Sequence, residues 1–269
     1  PNKYWKCITG HYFPLKPFKI RKFIHVLQSP LIKAIQVSTI YEGEKIPSLF
    51  NVNLNIKSGE FICIIGSNGS GKTTLLETLN GLLPYTDGAL SIMGKDIKEQ
   101  GSLIRKHIGY VPQEFIVDPL TPFLVKDIIL MGRYGKIGLL KNISNHDHMV
   151  VKQSLKAMGI RELENRPIGK LSGGQLQKVM LARMLAKKPE ILFLDEPFSN
   201  LDYRATHETS QKIAHWHDLN HWTTLMVIHD LNSLPARCQR IIHLEEGKII
   251  KDDIPDKVLT DDLLEAPLR

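Results

Sequence analysis

The stretch that decides the fold is Gly66-Ser67-Asn68-Gly69-Ser70-Gly71-Lys72-Thr73. The apolar residues 61–65 before it are typical of a strand buried on both faces, and the sequence after it predicts a helix that begins near Lys72. Glycines at 66, 69 and 71 permit positive φ and a close approach of the backbone to a ligand. Successive N–H groups in such a turn, together with a helix N-terminus, form a phosphate site. This phosphate loop (residues 66–73) is predicted to hold a nucleotide, with Lys72 on the β- and γ-phosphates and Thr73 on Mg²⁺.

Two acidic residues follow a second apolar run, residues 190–194. Asp195 then lies at the carboxyl end of a predicted parallel strand, where such sheets bind ligands, and is predicted to be the second partner of Mg²⁺. Glu196 is placed to polarise a water in line with the γ-phosphate. A solvated turn is the alternative for this pair, but the phosphate loop upstream favours the catalytic interpretation.

A histidine directly follows the third apolar run, residues 223–228. His229 is predicted to lie beside the γ-phosphate, where it could stabilise developing charge. A structural or merely exposed histidine is the alternative interpretation.

A second glycine-rich segment, Leu171-Ser172-Gly173-Gly174-Gln175, lies far downstream. With this signature segment (residues 171–175) the chain resembles the ATP-binding cassette family, the nucleotide-binding subunits of ABC transporters, from about Ile32 to about Leu264. The resemblance implies that Ser172 and Gly174 of one copy contact the γ-phosphate bound by the other copy. A Ser-Gly-Gly turn before a helix starting at Gln175 is an anion site that lacks a lysine of its own, which agrees with this implication.

Further site residues follow from the same resemblance. Gln113 corresponds to a glutamine that touches Mg²⁺ and links hydrolysis to the partner protein. Asp202 ends a loop, residues 199–202, that crosses the dimer interface beside Glu196. Tyr41 is expected to stack on adenine, with a tyrosine packed on the core as the alternative. Thr74 completes the predicted ATP-binding set.

The fold class implied is α/β, an ABC-type P-loop ATPase core with a mostly parallel sheet flanked by helices. An antiparallel β subdomain is predicted from strands 33–41, 49–56 and 89–93, and a small helical subdomain at about 114–172. Helices are predicted within this subdomain at 124–131 and 147–158, and short helices near Asp256 and Asp261. The predicted boundaries place the cassette domain at 32–264 and a tail at 265–269.

Charge is concentrated at the start of the chain. Residues 1–41 carry seven Lys or Arg and no Asp or Glu, whereas the remainder carries 28 of each sign. We expect residues 1–31 to be a poorly ordered basic extension; binding to anionic lipid headgroups and a targeting segment are the alternatives. Three scattered cysteines exclude a disulfide framework and fit a reducing cytosol. No apolar run approaches the ~20 residues needed to cross a bilayer, so any membrane pore must come from another polypeptide.

The partners and cargo are expectations from the resemblance. Residues 127–135 and 166–169 are similar to cassettes that energise import of zinc, manganese or iron ions. Importers of iron–siderophore, haem or cobalamin, which share a Gly-Arg pair like Gly132-Arg133, are the alternative. The expected assembly is a homodimer at the cytoplasmic face of the membrane, with integral permease subunits and, through them, an extracellular or periplasmic solute-binding protein.

Three other functional classes are disfavoured. Soluble ABC proteins that act on ribosomes or DNA usually have two cassettes or a coiled-coil insertion, so no nucleic-acid partner is predicted. A cassette that dimerises without turnover is disfavoured by the intact Glu196 and His229. An exporter remains the third alternative.

Two groups of histidines suggest a metal site. They are His146 with His148, around Asp147, and His215 with His217 and His221. His217 and His221 are one helical turn apart, a spacing that can chelate a metal. A solvated loop and an exposed helix face are the favoured interpretation, so no metal site beyond Mg²⁺ is predicted.

Overall fold

The computed structural model describes residues 29–138 and 141–260. Most of the predicted basic extension therefore lies outside the described residues, as do the C-terminal tail and a short helix predicted near Asp261. None of the helices in the described part is both long and apolar enough to span a bilayer.

Ten strands and eight α-helices run through the described residues. The strands are β1 (Ile32–Thr39), β2 (Leu49–Ile56), β3 (Phe61–Ile65), β4 (Asp87–Ile92), β5 (Lys95–Asp96), β6 (Ile108–Val111), β7 (Ile191–Asp195), β8 (Thr223–Val227), β9 (Arg240–Glu245) and β10 (Lys248–Asp253). The helices are α1 (Lys72–Asn80), α2 (Ile97–Ile104), α3 (Val125–Met131), α4 (Tyr134–Ile137), α5 (Asn145–Met158), α6 (Gly173–Lys187), α7 (Tyr203–Asn220) and α8 (Pro255–Val258).

The strands form two sheets. The larger has the order β10-β9-β3-β8-β7-β6, in which only the edge strand β10 is antiparallel to its neighbour. The smaller, β2-β1-β4-β5, is antiparallel throughout. This arrangement confirms the predicted α/β fold.

The core occupies both faces of the larger sheet. Every residue of β3, β7 and β8 is buried, as expected for parallel strands covered on two sides. Along β3, Cys63 packs among residues of α3, α5 and α6, whereas Ile62 and Ile64 pack towards the smaller sheet and α1. This two-sided burial fixes the end of β3, from which the phosphate loop leaves.

The Gly132-Arg133 pair, from which a cargo was inferred, packs the helical lobe together. A Cβ at Gly132 would lie 2.3 Å from the Arg183 carbonyl oxygen of α6. The buried Arg133 donates from Nε to Asp147 Oδ1 at 2.9 Å and from Nη1 to the Ala186 carbonyl at 3.1 Å. The pair therefore joins α3, α5 and the end of α6.

Several predicted boundaries need correction. The strand predicted at 33–41 ends at Thr39, so Tyr41 lies beyond it. The helix predicted from Asp147 begins at Asn145, because Ser144 accepts from the Asp147 N–H and Asp147 accepts from the Ser144 N–H in a capping box. The helix expected to start at Gln175 begins at Gly173.

Candidate nucleotide-binding site

The phosphate loop has the backbone that its glycines predicted. Gly66, Gly69 and Gly71 have φ of 149°, 77° and 99°. An added Cβ at Gly66 would lie 2.2 Å from the Leu244 carbonyl oxygen, and one at Gly71 would lie 2.7 Å from that of Ser48. Both positions therefore require glycine for conformation and for space, and α1 begins directly after them.

Lys72 crosses the phosphate loop. Its Nζ donates to the carbonyl oxygens of Gly66 at 2.9 Å and Ser67 at 2.8 Å. Burial lowers the pKa of the ammonium, while the carboxylates of Glu196 and Asp195 act against that shift. A cation held here by two neutral carbonyls is positioned to exchange them for phosphate oxygens, as predicted for Lys72.

Asp195 ends β7 with a fully buried carboxylate. Neither oxygen has a hydrogen-bond partner among the described residues. Burial raises the pKa of Asp195 from 3.8 to about 6, and the Glu196 charge adds to this, while the nearby Thr73 hydroxyl lowers it in part. An orphaned carboxylate beside a hydroxyl is a set of hard oxygen donors that fits Mg²⁺. The residues present therefore suit the predicted metal.

Glu196 is held in an uncommon backbone conformation. Its φ is 43°, in the left-handed region, which costs a non-glycine residue about 1 kcal/mol or more. Gln113 Nε2 donates to Glu196 Oε2 at 2.9 Å, so the two predicted residues are in contact. Buried Gln177 on α6 donates from Nε2 to the Pro197 carbonyl at 3.1 Å. Gln177, which was not among the predicted site residues, thereby fixes the residue next to Glu196.

Four predicted residues from separate parts of the chain line one cleft of about 650 Å³: Asn68, Gln113, Glu196 and His229. His229 is exposed and lies two residues after the end of β8. One polar face of α7 forms another wall, which sequence reasoning missed: Tyr203, Thr206, His207 and Ser210. Their spacing of i, i+3, i+4 and i+7 was a readable signal of one helix face.

Tyr41 lies against the helix that follows the phosphate loop. Its hydroxyl is hydrogen-bonded to Thr74 Oγ1 at 3.1 Å, and its ring is half-buried. The hydroxyl also interacts with the Glu77 carboxyl group, whose pKa is raised chiefly by burial and lowered in part by Tyr41. Tyr41 is thus anchored by its polar end, and its stacking on adenine stays a prediction.

The signature segment forms the capped N-terminus of α6. Ser172 Oγ accepts from the Gln175 N–H at 3.3 Å, and Gln175 Oε1 accepts from the Ser172 N–H at 3.1 Å. Gly174 lies against Asn200, where an added Cβ would be 3.1 Å from the carbonyl oxygen. Asp202 caps α7 by accepting from the Ala205 N–H at 2.7 Å. Leu171 to Gln175 are not among the described residues that line the 650 Å³ cleft.

The histidine groups do not form a metal centre in the part of the chain that the structure covers. No group of three or more His, Cys, Asp or Glu side chains is placed there to hold an ion. His217 is buried, bonded through Nδ1 to Thr224 Oγ1 at 3.0 Å, and packs on Phe61. It is a core histidine, not the exposed residue that was expected.

Comparison with known proteins places these features in a family. The ABC transporter family model matches residues 49–199. The manganese transport system ATP-binding protein MntB of Bacillus subtilis is 42% identical over 205 residues, 76% of this chain and 80% of that protein. The high-affinity zinc uptake system ATP-binding protein ZnuC of the same organism is 36% identical over 203 residues, 75% of this chain and 86% of that protein.

A solved structure agrees with the family match. The dimeric structure of MJ0796, a bacterial ABC transporter cassette, is 32% identical and superposes with a TM-score of 0.71 over 83% of this chain and 98% of that chain. The phosphate loop, Gln113, the signature segment and Glu196 lie within the residues 49–199 that the family model matches. This chain belongs to the ABC transporter family.

Proposed function

We propose that this protein is the Mg²⁺-dependent ATP-hydrolysing subunit of a membrane importer for manganese, zinc or iron ions. The observation that carries the proposal is the grouping of Lys72, Asp195 and Glu196 beside the carboxyl ends of β3 and β7, two parallel strands that flank β8 in the larger sheet. Lys72 binds phosphate, Asp195 and Thr73 hold Mg²⁺, and Glu196 orients and accepts a proton from the attacking water. Bound Mg²⁺ supplies charge neutralisation on the phosphates.

The active unit that we propose is a head-to-tail homodimer. The signature segment has a helix N-terminus at Ser172 and Gly174 but no lysine, and it does not line the cleft to which Asn68 of its own phosphate loop belongs. Such a site is complete only against phosphate bound by a second copy. The likeness to a cassette solved as a dimer supports this arrangement.

A basic groove supports the proposal that the partner of this protein is a membrane permease, to which it binds at the cytoplasmic face of the membrane. This groove, of about 480 Å³, is lined by Arg105, Lys106, Arg183 and Lys187 together with the exposed Phe115. Burial lowers the pKa of Lys187 to about 8, and the charge of Arg183 adds to that effect. Neither Arg183 nor Lys187 forms an ion pair with another described residue. An acidic, partly apolar segment of a permease would satisfy both charges.

The cargo is proposed from the names of the relatives, which are manganese, zinc and chelated iron transport systems. The Gly132-Arg133 pair packs helices, so it gives no support for a chelate importer over an ion importer. Delivery by an extracellular solute-binding protein is part of the same proposal.

The ATPase assignment is tested by Glu196→Gln, with Glu162→Gln as a matched control on an exposed glutamate. We expect Glu196→Gln to lower turnover by about 10²-fold or more, while ATP-dependent dimerisation measured by size-exclusion chromatography survives. Glu162→Gln should change neither. Full turnover by the Glu196→Gln dimer would show that another group activates the water.

The cargo is tested by purifying the chain with its membrane partner and solute receptor. Metals on the receptor are then measured by mass spectrometry. Manganese, zinc or iron ions at stoichiometric amounts are expected, and an organic chelate in their place would contradict the proposal.

A further inference from the structure

A pair of cysteine side chains meets beside the strand that carries the phosphate loop. Cys63 is the fully buried middle residue of β3, and Cys238 is half-buried just before β9. The Gln239 N–H donates to the Phe61 carbonyl at 2.9 Å, and the Phe61 N–H donates to Gln239 Oε1 at 3.1 Å. These two bonds hold the segment that contains Cys238 against β3. Both sulfur atoms belong to the same side of the core.

The two thiols interact in this part of the core and differ in reactivity. The hydrogen bond with the Cys63 side chain is the main cause that lowers the pKa of Cys238; burial acts against it, and backbone hydrogen bonds at Arg240 and Cys63 lower the pKa further. Burial raises the pKa of Cys63 well above its usual value. Cys238 therefore has the greater thiolate character and the greater access to solvent, which are the features of an attacking cysteine.

We propose that Cys63 and Cys238 are a redox-sensitive pair, which a peroxide oxidant converts into an intramolecular disulfide that slows ATP turnover. The Cys238 thiolate attacks one oxygen of hydrogen peroxide, which gives a sulfenic acid and releases hydroxide. The Cys63 sulfur then attacks the Cys238 sulfur and loses its proton, and the second hydroxide leaves as water. In total two thiols are oxidised and one peroxide is reduced to two waters.

The position of the pair links this oxidation to the nucleotide site. Cys63 is three residues before Gly66, and Cys238 ends the segment that begins at His229. Asn232, Ser233 and Leu234 of this segment line the 650 Å³ cleft that Asn68 and Glu196 also line. Since a disulfide, at about 2 Å between sulfurs, is shorter than a thiol contact, the segment must move towards β3 when the bond forms. That movement displaces one wall of the cleft.

The test uses the full chain carrying Cys7→Ser, so that only these two thiols remain. The folded protein is treated with hydrogen peroxide, denatured, alkylated with N-ethylmaleimide and weighed by mass spectrometry. We expect both alkylations to be lost, a mass decrease of about 2 Da relative to the reduced, unalkylated chain, and a peptide that joins Cys63 to Cys238. Dithiothreitol should restore both thiols.

Two variants provide the controls. Cys238→Ser should leave Cys63 reduced and make turnover insensitive to peroxide, and Cys63→Ala should let Cys238 advance to sulfinic acid. In the parent protein, turnover should fall severalfold in step with disulfide formation and recover with dithiothreitol. Two alkylatable thiols after peroxide treatment would overturn the pairing, and a disulfide with unchanged turnover would overturn its effect on the site. The thiol readout does not depend on what the protein transports.

Discussion

Replacing Asp195 by Asn is expected to stabilise the protein in the absence of Mg²⁺ and nucleotide. The carboxyl group has a pKa of about 6 in the folded chain against 3.8 for an ordinary aspartate. A carboxyl that binds its proton more tightly when folded favours the folded state at low pH. That contribution is complete below about pH 4 and is lost as the pH rises to about 6, because the charge must then be buried.

The magnitude follows from the pKa difference. At about 1.4 kcal/mol per pKa unit, the buried charge costs about 3 kcal/mol at pH 8 and about half of that at pH 5. Asp195→Asn should therefore raise the free energy of unfolding by about 3 kcal/mol at pH 8 and by clearly less at pH 5.

Urea unfolding followed by circular dichroism at both pH values measures this difference. Asp87→Asn, at an exposed aspartate of β4, is the matched control and should change little at either pH. A stability gain that is equal at pH 5 and pH 8, or a loss at both, would refute the burial argument. The same variant should lose Mg²⁺-dependent turnover.

Three further substitutions test the packing and the site. Gly132→Ala should lower the free energy of unfolding, measured in urea, by about 1–3 kcal/mol, because the added Cβ meets the Arg183 carbonyl. The control Gly135→Ala, whose Cβ meets nothing within 4 Å, should be neutral. Equal effects of the two substitutions would contradict the contact. Gln177→Ala should lower steady-state ATP turnover roughly tenfold, because it releases Pro197 beside Glu196. The control substitution Gln211→Ala, at an exposed glutamine, should leave turnover unchanged. Wild-type turnover in a folded Gln177→Ala protein would exclude the positioning role. Tyr41→Ala should weaken ATP binding, measured by calorimetry, about tenfold. Tyr41→Phe keeps the ring and loses the hydrogen bond to Thr74, so this variant should bind ATP nearly as well as the wild type. Equal losses of affinity in the two variants would show that the hydroxyl matters and stacking does not.

Local sequence predicted the parts of the structure that local rules govern. The phosphate loop, with its apolar strand, its glycines and its helix, could be read because each property belongs to neighbouring residues. The same is true of most strand positions. The start of α5 was missed by two residues, although Ser144 and Asp147 have the spacing of a capping box.

Contacts between distant residues could not be read in this way. Arg133 meets Asp147 and the end of α6 across 14 and 53 positions, so its role in packing appears only in the folded chain. Gln177 reaches Pro197 across 20 positions. His217 looked exposed from the polar residues around it, but Thr224 and Phe61 bury its ring. In each case the decisive partner lies on another element.

The composite nucleotide site is tested most directly by mixing two inactive variants. Lys72→Ala removes the phosphate contact of one copy, and Ser172→Arg blocks the signature segment of the other. In a mixed dimer one site combines both defects, while the second pairs an intact phosphate loop with an intact signature segment. ATP turnover of the mixture should therefore rise well above that of either variant alone. A mixture no more active than its components, although mixed dimers form, would contradict a site shared between two copies.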